Sequence, residues 1–239
     1  MRDAYISRLS GDKKISKSDF YYLVYIPLLR ELKSAIDKYA NGRVIDIGCG
    51  NKPHEKKFAG KITHYIGCDI VQSDLQKVDV LCEANNIPLP DNSFDTAFST
   101  QTIEHVEDHQ GLVNEAYRLL KPGGVFIVSG PMYWHLHEEP YDFFRFTKYG
   151  FNYILQKAGF EMVEVNPNGG AWATAGQTLI HSFSLSKSRN FFIRASRFLF
   201  HKLRIYWFIN TFFAWLDKVD HNPANTLNYV VTAKKPLTR

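Results

Sequence analysis

The run Val44-Ile45-Asp46-Ile47-Gly48-Cys49-Gly50 constrains this chain more than any other segment. Apolar, β-favouring residues lead straight into two glycines one residue apart. After a short charged spacer, Glu55 to Lys61, a second buried-type run, Tyr65-Ile66-Gly67-Cys68-Asp69, ends on a carboxylate. In a doubly wound sheet, ligands lie outside the carboxyl ends of the strands. Glycines after the first strand let a ligand approach bare backbone, where a Cβ would collide with it. An acid at the tip of the second strand, about twenty positions on, is placed to accept hydrogen bonds from a ribose diol. The pattern predicts a parallel sheet that binds a nucleoside.

Which nucleoside is decided by what stands around the glycines. A dinucleotide fingerprint needs a third glycine for close helix packing and a free helix N-terminus for the pyrophosphate. That position holds Pro53 here. Asp46, two residues before Gly48, suits a ligand bearing an ammonium group better than one bearing phosphate. Cys49, Cys68 and Cys82 read as small buried hydrophobes, and their spacing fits no metal template.

Further motifs follow in order. They are Glu83-Ala84-Asn-Asn-Ile-Pro-Leu-Pro-Asp-Asn-Ser-Phe-Asp95, then Phe94 to Val106 with Thr100 and His105, then Leu119-Leu-Lys-Pro-Gly-Gly124 before Val125-Phe-Ile-Val128. With the glycine run, these resemble the class I S-adenosylmethionine-dependent methyltransferases, specifically the type 11-like methyltransferase domain. The resemblance implies S-adenosylmethionine as cofactor, held by Asp46, Gly48, Gly50, Asp69, Glu83, Ala84 and Thr100. Glu83 would bond the adenine amino group, with the Ala84 backbone beside it.

Strand-like runs at 43–47, 64–69, 78–82, 94–99, 125–129, 161–165 and 227–233 alternate with helical patterns at 18–40, 108–120 and 149–158. The first helix is expected to start at Ser18-Asp19, with Pro27 kinking or dividing it. This alternation predicts an α/β fold, a seven-stranded, mostly parallel, doubly wound sheet. The resemblance adds that the last strand returns antiparallel between the fifth and sixth. The 239 residues and ordinary globular composition suit a single methyltransferase domain spanning 1–239. A helical extension at 1–40 and a helical insertion at 167–226 elaborate it. No apolar leader and no run long enough to span a bilayer occur, so a cytoplasmic protein is expected.

Two regions bear on the acceptor. Directly after the fifth strand, Pro131 to Thr147 concentrates six aromatic and six ionisable side chains. Methyl transfer to oxygen needs in-line placement and removal of a proton, which a near-neutral histidine suits. His135 and His137 are the foremost candidate bases, with His105 next; His105 could instead cap the 108–120 helix. Trp134, Glu138, Asp142 and Arg145 are candidate substrate contacts. Asp142 and Arg145, if helical, share a face and pair with each other. A metal on the His-x-His-Glu cluster is the lesser reading, and no metal site is assigned.

The second region, Asn190 to Leu216, carries ten of the chain's thirty-five aromatic residues. Arg194, Arg197, His201 and Arg204 recur at helical spacing on one face, and Phe192, Leu199, Leu203 and Tyr206 on another. Residues 187–239 hold ten Lys/Arg against two Asp/Glu, so the basic pI of about 9.0 belongs to the tail. A basic helix with an aromatic face suits an anionic membrane surface, a cap over the active site, or a homodimer contact. Bulky apolar residues disfavour nucleic acid. The expected activity is methyl transfer to a small-molecule, glycan or lipid-linked acceptor, at oxygen. RNA methylation and a non-catalytic cofactor-binding module are the alternatives.

Overall fold

A computed structural model of the protein describes residues 14–186, 188–202 and 204–237. Its strands are β1 (Gly42–Ile47), β2 (Ile62–Asp69), β3 (Val80–Leu81), β4 (Phe94–Thr100), β5 (Leu120–Pro131), β6 (Glu161–Asn168) and β7 (Asn228–Lys234). They form one sheet in the order β3-β2-β1-β4-β5-β7-β6. Neighbours from β3 to β5 run parallel, while β7 is antiparallel to both β5 and β6. The order reverses between β1 and β4, so the ligand crevice falls at the carboxyl ends of those strands.

Both faces of the sheet are covered, which is why its central strands are apolar on alternate and adjacent positions alike. On one face Ile45, Ile47, Phe126 and Val128 pack with α2 (His109–Leu119) and α3 (Lys148–Ala158) through Leu112, Ala116, Phe151 and Leu155. On the other, Val44, Phe98 and Ile127 meet α1 (Tyr22–Tyr39) through Leu28, Leu32 and Ile36. The Asp108 side chain caps α2 by accepting from Gly111 N, and Thr147 caps α3 through Gly150 N. Gly159 closes α3 at φ 102°, a left-handed cap that favours glycine.

Several boundaries differ from the sequence reading. Helix α1 starts at Tyr22, because the Asp19 carboxylate closes a turn back onto Ser16 N instead of capping forward. It runs unbroken through Pro27. The 190–216 stretch is two helices. The segment between β6 and β7 holds α4 (Ala171–Ser184), α5 (Phe191–Lys202) and α6 (Ile205–Val219), with Arg204 at φ 52° breaking α5 from α6. A continuous basic face through Arg204 therefore does not form. Leu203, the His201 side chain and residues 1–13 of the N-terminal extension lie outside the described residues.

Candidate cofactor and acceptor site

The crevice begins where β1 ends. Gly48 lies at φ 76° and Gly50 at φ 48°, conformations an L side chain rarely adopts. Their roles differ. A Cβ on Gly48 would sit 2.2 Å from Thr102 Cγ2, whereas among the described residues a Cβ on Gly50 would meet nothing within 4 Å. Gly48 is thus a glycine for its backbone and for Thr102, correcting the expectation that ligand space demands it. Gly50 borders space open among the described residues, which suits a close-approaching ligand.

Asp69, at the tip of β2, ties the two strands together. Its Oδ2 accepts from Gly50 N at 2.9 Å and its Oδ1 from Ile70 N at 2.8 Å. Each oxygen keeps a further lone pair for a hydroxyl donor. Asp46 is nearly fully buried, and its Oδ2 accepts from Tyr65 Oη at 2.6 Å. Burial raises its pKa to about 7 against the opposing Tyr65 hydrogen bond. A ligand ammonium at this carboxylate would share it with Tyr65.

Glu83 is exposed just beyond β3, and Ala84 is half-buried against the core beneath. Thr100 ends β4, and its carbonyl accepts from Thr102 Oγ1 at 3.2 Å. These residues and the glycine turn edge the same sheet end, and the donor set fits a ribose- and adenine-bearing cofactor. The sequence reading missed Lys52, whose Nζ reaches Asp79 Oδ2 at 2.5 Å while Asp79 also accepts from Gly67 N. That pair staples the glycine turn to the loop before β3. It also missed Gln101, at φ 51°, which donates through Nε2 to Ser129 Oγ.

The loop after β5 carries the candidate acceptor residues. Asp142 and Arg145 form a bidentate pair, Nη1 to Oδ1 at 2.6 Å and Nη2 to Oδ2 at 2.8 Å, in non-helical backbone. The remaining guanidinium donors go to the carbonyls of Trp134, Phe144 and His135. All five N–H groups are thereby spent. Arg145 fastens the loop to itself and has no donor left for substrate, which corrects its assignment as a substrate contact. Trp134 is half-buried, with ring centroids 5.7 Å from Tyr21 and 4.8 Å from His181. It is an aromatic wall more than an open contact. Glu138 is exposed at a turn, where its carbonyl accepts from Tyr141 N.

Asp142 also orients a histidine. Its Oδ2 accepts from the His137 backbone N at 3.0 Å and lies 3.2 Å from His137 Nδ1. Arg145 holds the Asp142 carboxyl well below the usual carboxylate range, so Asp142 is ionised and His137 Nδ1 carries the proton. The lone pair is then on Nε2. Burial lowers the His137 pKa, reinforced by His105 and opposed by Asp142. His105 lies beside it, ring centroids 4.7 Å apart, and donates Nδ1–H to the Tyr141 carbonyl at 2.6 Å. His105 does not cap α2; Asp108 does.

His135 is different. Its ring stands 4.4 Å from that of His181 on α4, and among the described residues its buried Nδ1 has no hydrogen-bond partner. Burial lowers its pKa, as it lowers that of His181 to about 3. These two rings tie the insertion to the β5 loop, so His135 joins a packing cluster, unlike the Asp142-paired His137.

Glu104 completes the neighbourhood. It is fully buried, and among the described residues neither carboxylate oxygen has a hydrogen-bond partner; His105 Nε2 is 3.9 Å from Oε1. Burial raises its pKa to about 8. Among the described residues, Glu104, His105 and His137 form the one trio whose metal-capable atoms lie within 4.8 Å of one another.

A glycine turn and a strand-tip carboxylate at the switch point of a 3-2-1-4-5-7-6 sheet define a nucleoside-binding α/β domain. Residues 45–128 match the family described as "Methyltransferase domain". A probable S-adenosylmethionine-dependent methyltransferase of Mycolicibacterium smegmatis is 36% identical over 99 residues, 37% of each chain. The chloroplastic 2-methyl-6-phytyl-1,4-hydroquinone methyltransferase 1 of Oryza sativa subsp. japonica is 32% identical over 132 residues, 50% of this chain and 35% of that one. A putative methyltransferase from Bacillus halodurans shares the fold, with a TM-score of 0.55, 18% identity, and coverage of 86% of this chain and 98% of that one. The segment that carries the motifs, residues 45–128, is thus similar to S-adenosylmethionine-dependent methyltransferases. The alignments span about a third of the length of these curated relatives.

Proposed function

We propose that the protein transfers the methyl group of S-adenosylmethionine to an oxygen of a small-molecule, glycan or lipid-linked acceptor. The cofactor, when bound, supplies a methyl group already activated on a sulfonium. The chain's own residues have two tasks. Asp69 and the open backbone at Gly50 position the nucleoside, and the β5 loop presents the acceptor and takes its proton.

The observation that carries the reading is the Asp142–His137 pair at the carboxyl end of the sheet. An ionised, Arg145-clamped carboxylate fixes the imidazole tautomer and leaves Nε2 as acceptor. A hydroxyl beside it can give up its proton to Nε2 as its oxygen forms the new bond to the methyl carbon, whose bond to sulfur would break with the electron pair left on a neutral thioether. The lowered pKa keeps His137 neutral, and so competent as a base, through the physiological range. Small-molecule acceptors also fit relatives of this segment, among them sterol and hydroquinone methyltransferases.

The test combines binding and turnover. In calorimetry, Asp69→Ala should weaken S-adenosylmethionine binding by about 1.5–3 kcal/mol, the range for a hydrogen bond to a charged acceptor. Labelled-methyl transfer to a panel of hydroxylated glycans and glycolipids should yield methyl ethers. His137→Ala should lower that turnover about 10²–10⁴-fold with cofactor affinity unchanged. Binding of NADH in place of the sulfonium ligand refutes the cofactor. Label found on RNA, or turnover indifferent to His137, refutes the acceptor chemistry.

A further inference from the structure

The inward side of helix α6 carries polar groups beside the apolar Tyr206, Ile209 and Phe213. Asn210 Nδ2 donates to the carbonyls of Lys17 and Asp19 at 2.8 and 2.9 Å, and Asp217 accepts from the Gly170 and Ala173 backbone N–H groups. Its outward side shows Trp207, Phe208, Phe212, Trp215 and Val219, all exposed and between 43% and 67% accessible. These positions share one helical stripe. On α5, Phe191, Phe192, Phe198 and Leu199 are exposed as well, and Phe200 is the buried anchor. So many exposed aromatics on two successive helices mark an interaction site.

Charge says what covers it. Residues 188–219 contain six Lys/Arg, and their single carboxylate, Asp217, is turned inward onto α4. Arg194, Lys202 and Arg204 are exposed on this two-helix unit, and Lys17 Nζ sits 5.9 Å from the Trp207 ring centroid. Aromatics interleaved with cations and free of outward-facing acids fit the boundary of an anionic bilayer. There indole rings occupy the headgroup level and arginines meet lipid phosphate. Helix α6 has fifteen residues, about 22 Å, against the roughly 30 Å of a bilayer core. Among the described residues, no helix is long and apolar enough to cross a membrane. The element lies on the surface or not at all.

We propose that the outward face of α5 and α6 docks the protein on an anionic lipid surface. Helix α4 lies between α6 and the β5 loop, touching the first through Gly176 and Phe213 and the second through His181 and His135. Docking there would set the acceptor site one helix away from the lipid. The proposal does not depend on the methyl-transfer reading, because vesicle binding is measured without turnover.

The test is co-sedimentation of the full chain with phosphatidylcholine vesicles, with and without phosphatidylglycerol. Binding is expected only to the phosphatidylglycerol vesicles, and raised salt should weaken it. Each basic residue near such a surface contributes a factor of about five, so Arg194/Lys202/Arg204→Glu should lower the partition coefficient at least about a hundredfold. Phe208/Phe212/Trp215→Ser should abolish binding while the chain still unfolds in one cooperative thermal transition, since more than half of each side chain is exposed. Arg197 is left intact because its Nη1 holds the Ser186 carbonyl. Equal binding to neutral and anionic vesicles, or none to either, overturns the proposal. So does a lipid-independent dimer, seen by sedimentation velocity, that the serine variant dissolves.

Discussion

Glu104→Gln gives the sharpest test of the site's electrostatics. The carboxyl is fully buried without a hydrogen-bond partner among the described residues, and its pKa is raised from an ordinary 4.5 to about 8. A carboxyl whose folded pKa is raised stabilises fully only below its unfolded pKa, and that contribution is lost as pH climbs through the folded value. The window here runs from about 4.5 to 8. Each pKa unit corresponds to about 1.4 kcal/mol, so the full span is on the order of 5 kcal/mol. Between pH 5 and 8.5 the wild type should lose about 4 kcal/mol through this group alone. At a urea slope of about 2–3 kcal/mol/M, that is a midpoint shift of roughly 1.5 M. Glu104→Gln removes the titration and should lack that share of the shift. The assay is urea unfolding followed by circular dichroism at both pH values, with a chelator present. Parallel midpoint-versus-pH curves for the two proteins would refute a neutral buried Glu104. Restored alkaline stability on adding a divalent ion to the wild type alone would show that the Glu104–His105–His137 trio takes a metal instead.

The two glycines should separate cleanly. Gly48→Ala should destabilise the fold by about 1–3 kcal/mol through positive φ and the Thr102 clash, whereas Gly50→Ala, strained in backbone but meeting no atom, should cost less stability and impair cofactor binding; thermal melts and calorimetry distinguish them. Arg145→Lys cannot replace five donors, and should lower turnover and expose the β5 loop to proteolysis; an unchanged cleavage pattern argues against the clamp. His54 is buried neutral with its pKa pushed down to about 3, so its contribution holds above pH 6.5 and falls away as pH drops toward 3. His54→Gln should therefore flatten the acid side of the stability curve by about 1.4 kcal/mol per pH unit, read from urea midpoints between pH 6.5 and 4.

What the sequence revealed and what it hid divide along physical lines. Strand positions and their order of use were legible, because burial on both faces imposes apolar runs at Val44–Ile47 and Val125–Val128. The glycine turn and Asp69 were legible because their spacing is local. The reason for Gly48 was not, since Thr102 approaches it from 54 residues away. Arg145 looked like a substrate contact because its partners are mostly carbonyls, which leave no mark on residue identity. His181 had no local signal at all; only the packing of α4 on the β5 loop brings it to His135. The break at Arg204 was hidden by an unbroken helical pattern around a left-handed residue.

The five-donor clamp at Arg145 has an energetic consequence for how an acceptor is met. A loop of this length, left free, would have to be ordered each time a substrate arrives, at about 1–2 kcal/mol of backbone entropy per residue fixed. Here His135, Trp134, Phe144 and Asp142 are already bound to one guanidinium, so that ordering is completed during folding. An acceptor bound as proposed would meet a template whose imidazole tautomer and loop path are set in advance, and its binding free energy would go into alignment with the methyl donor.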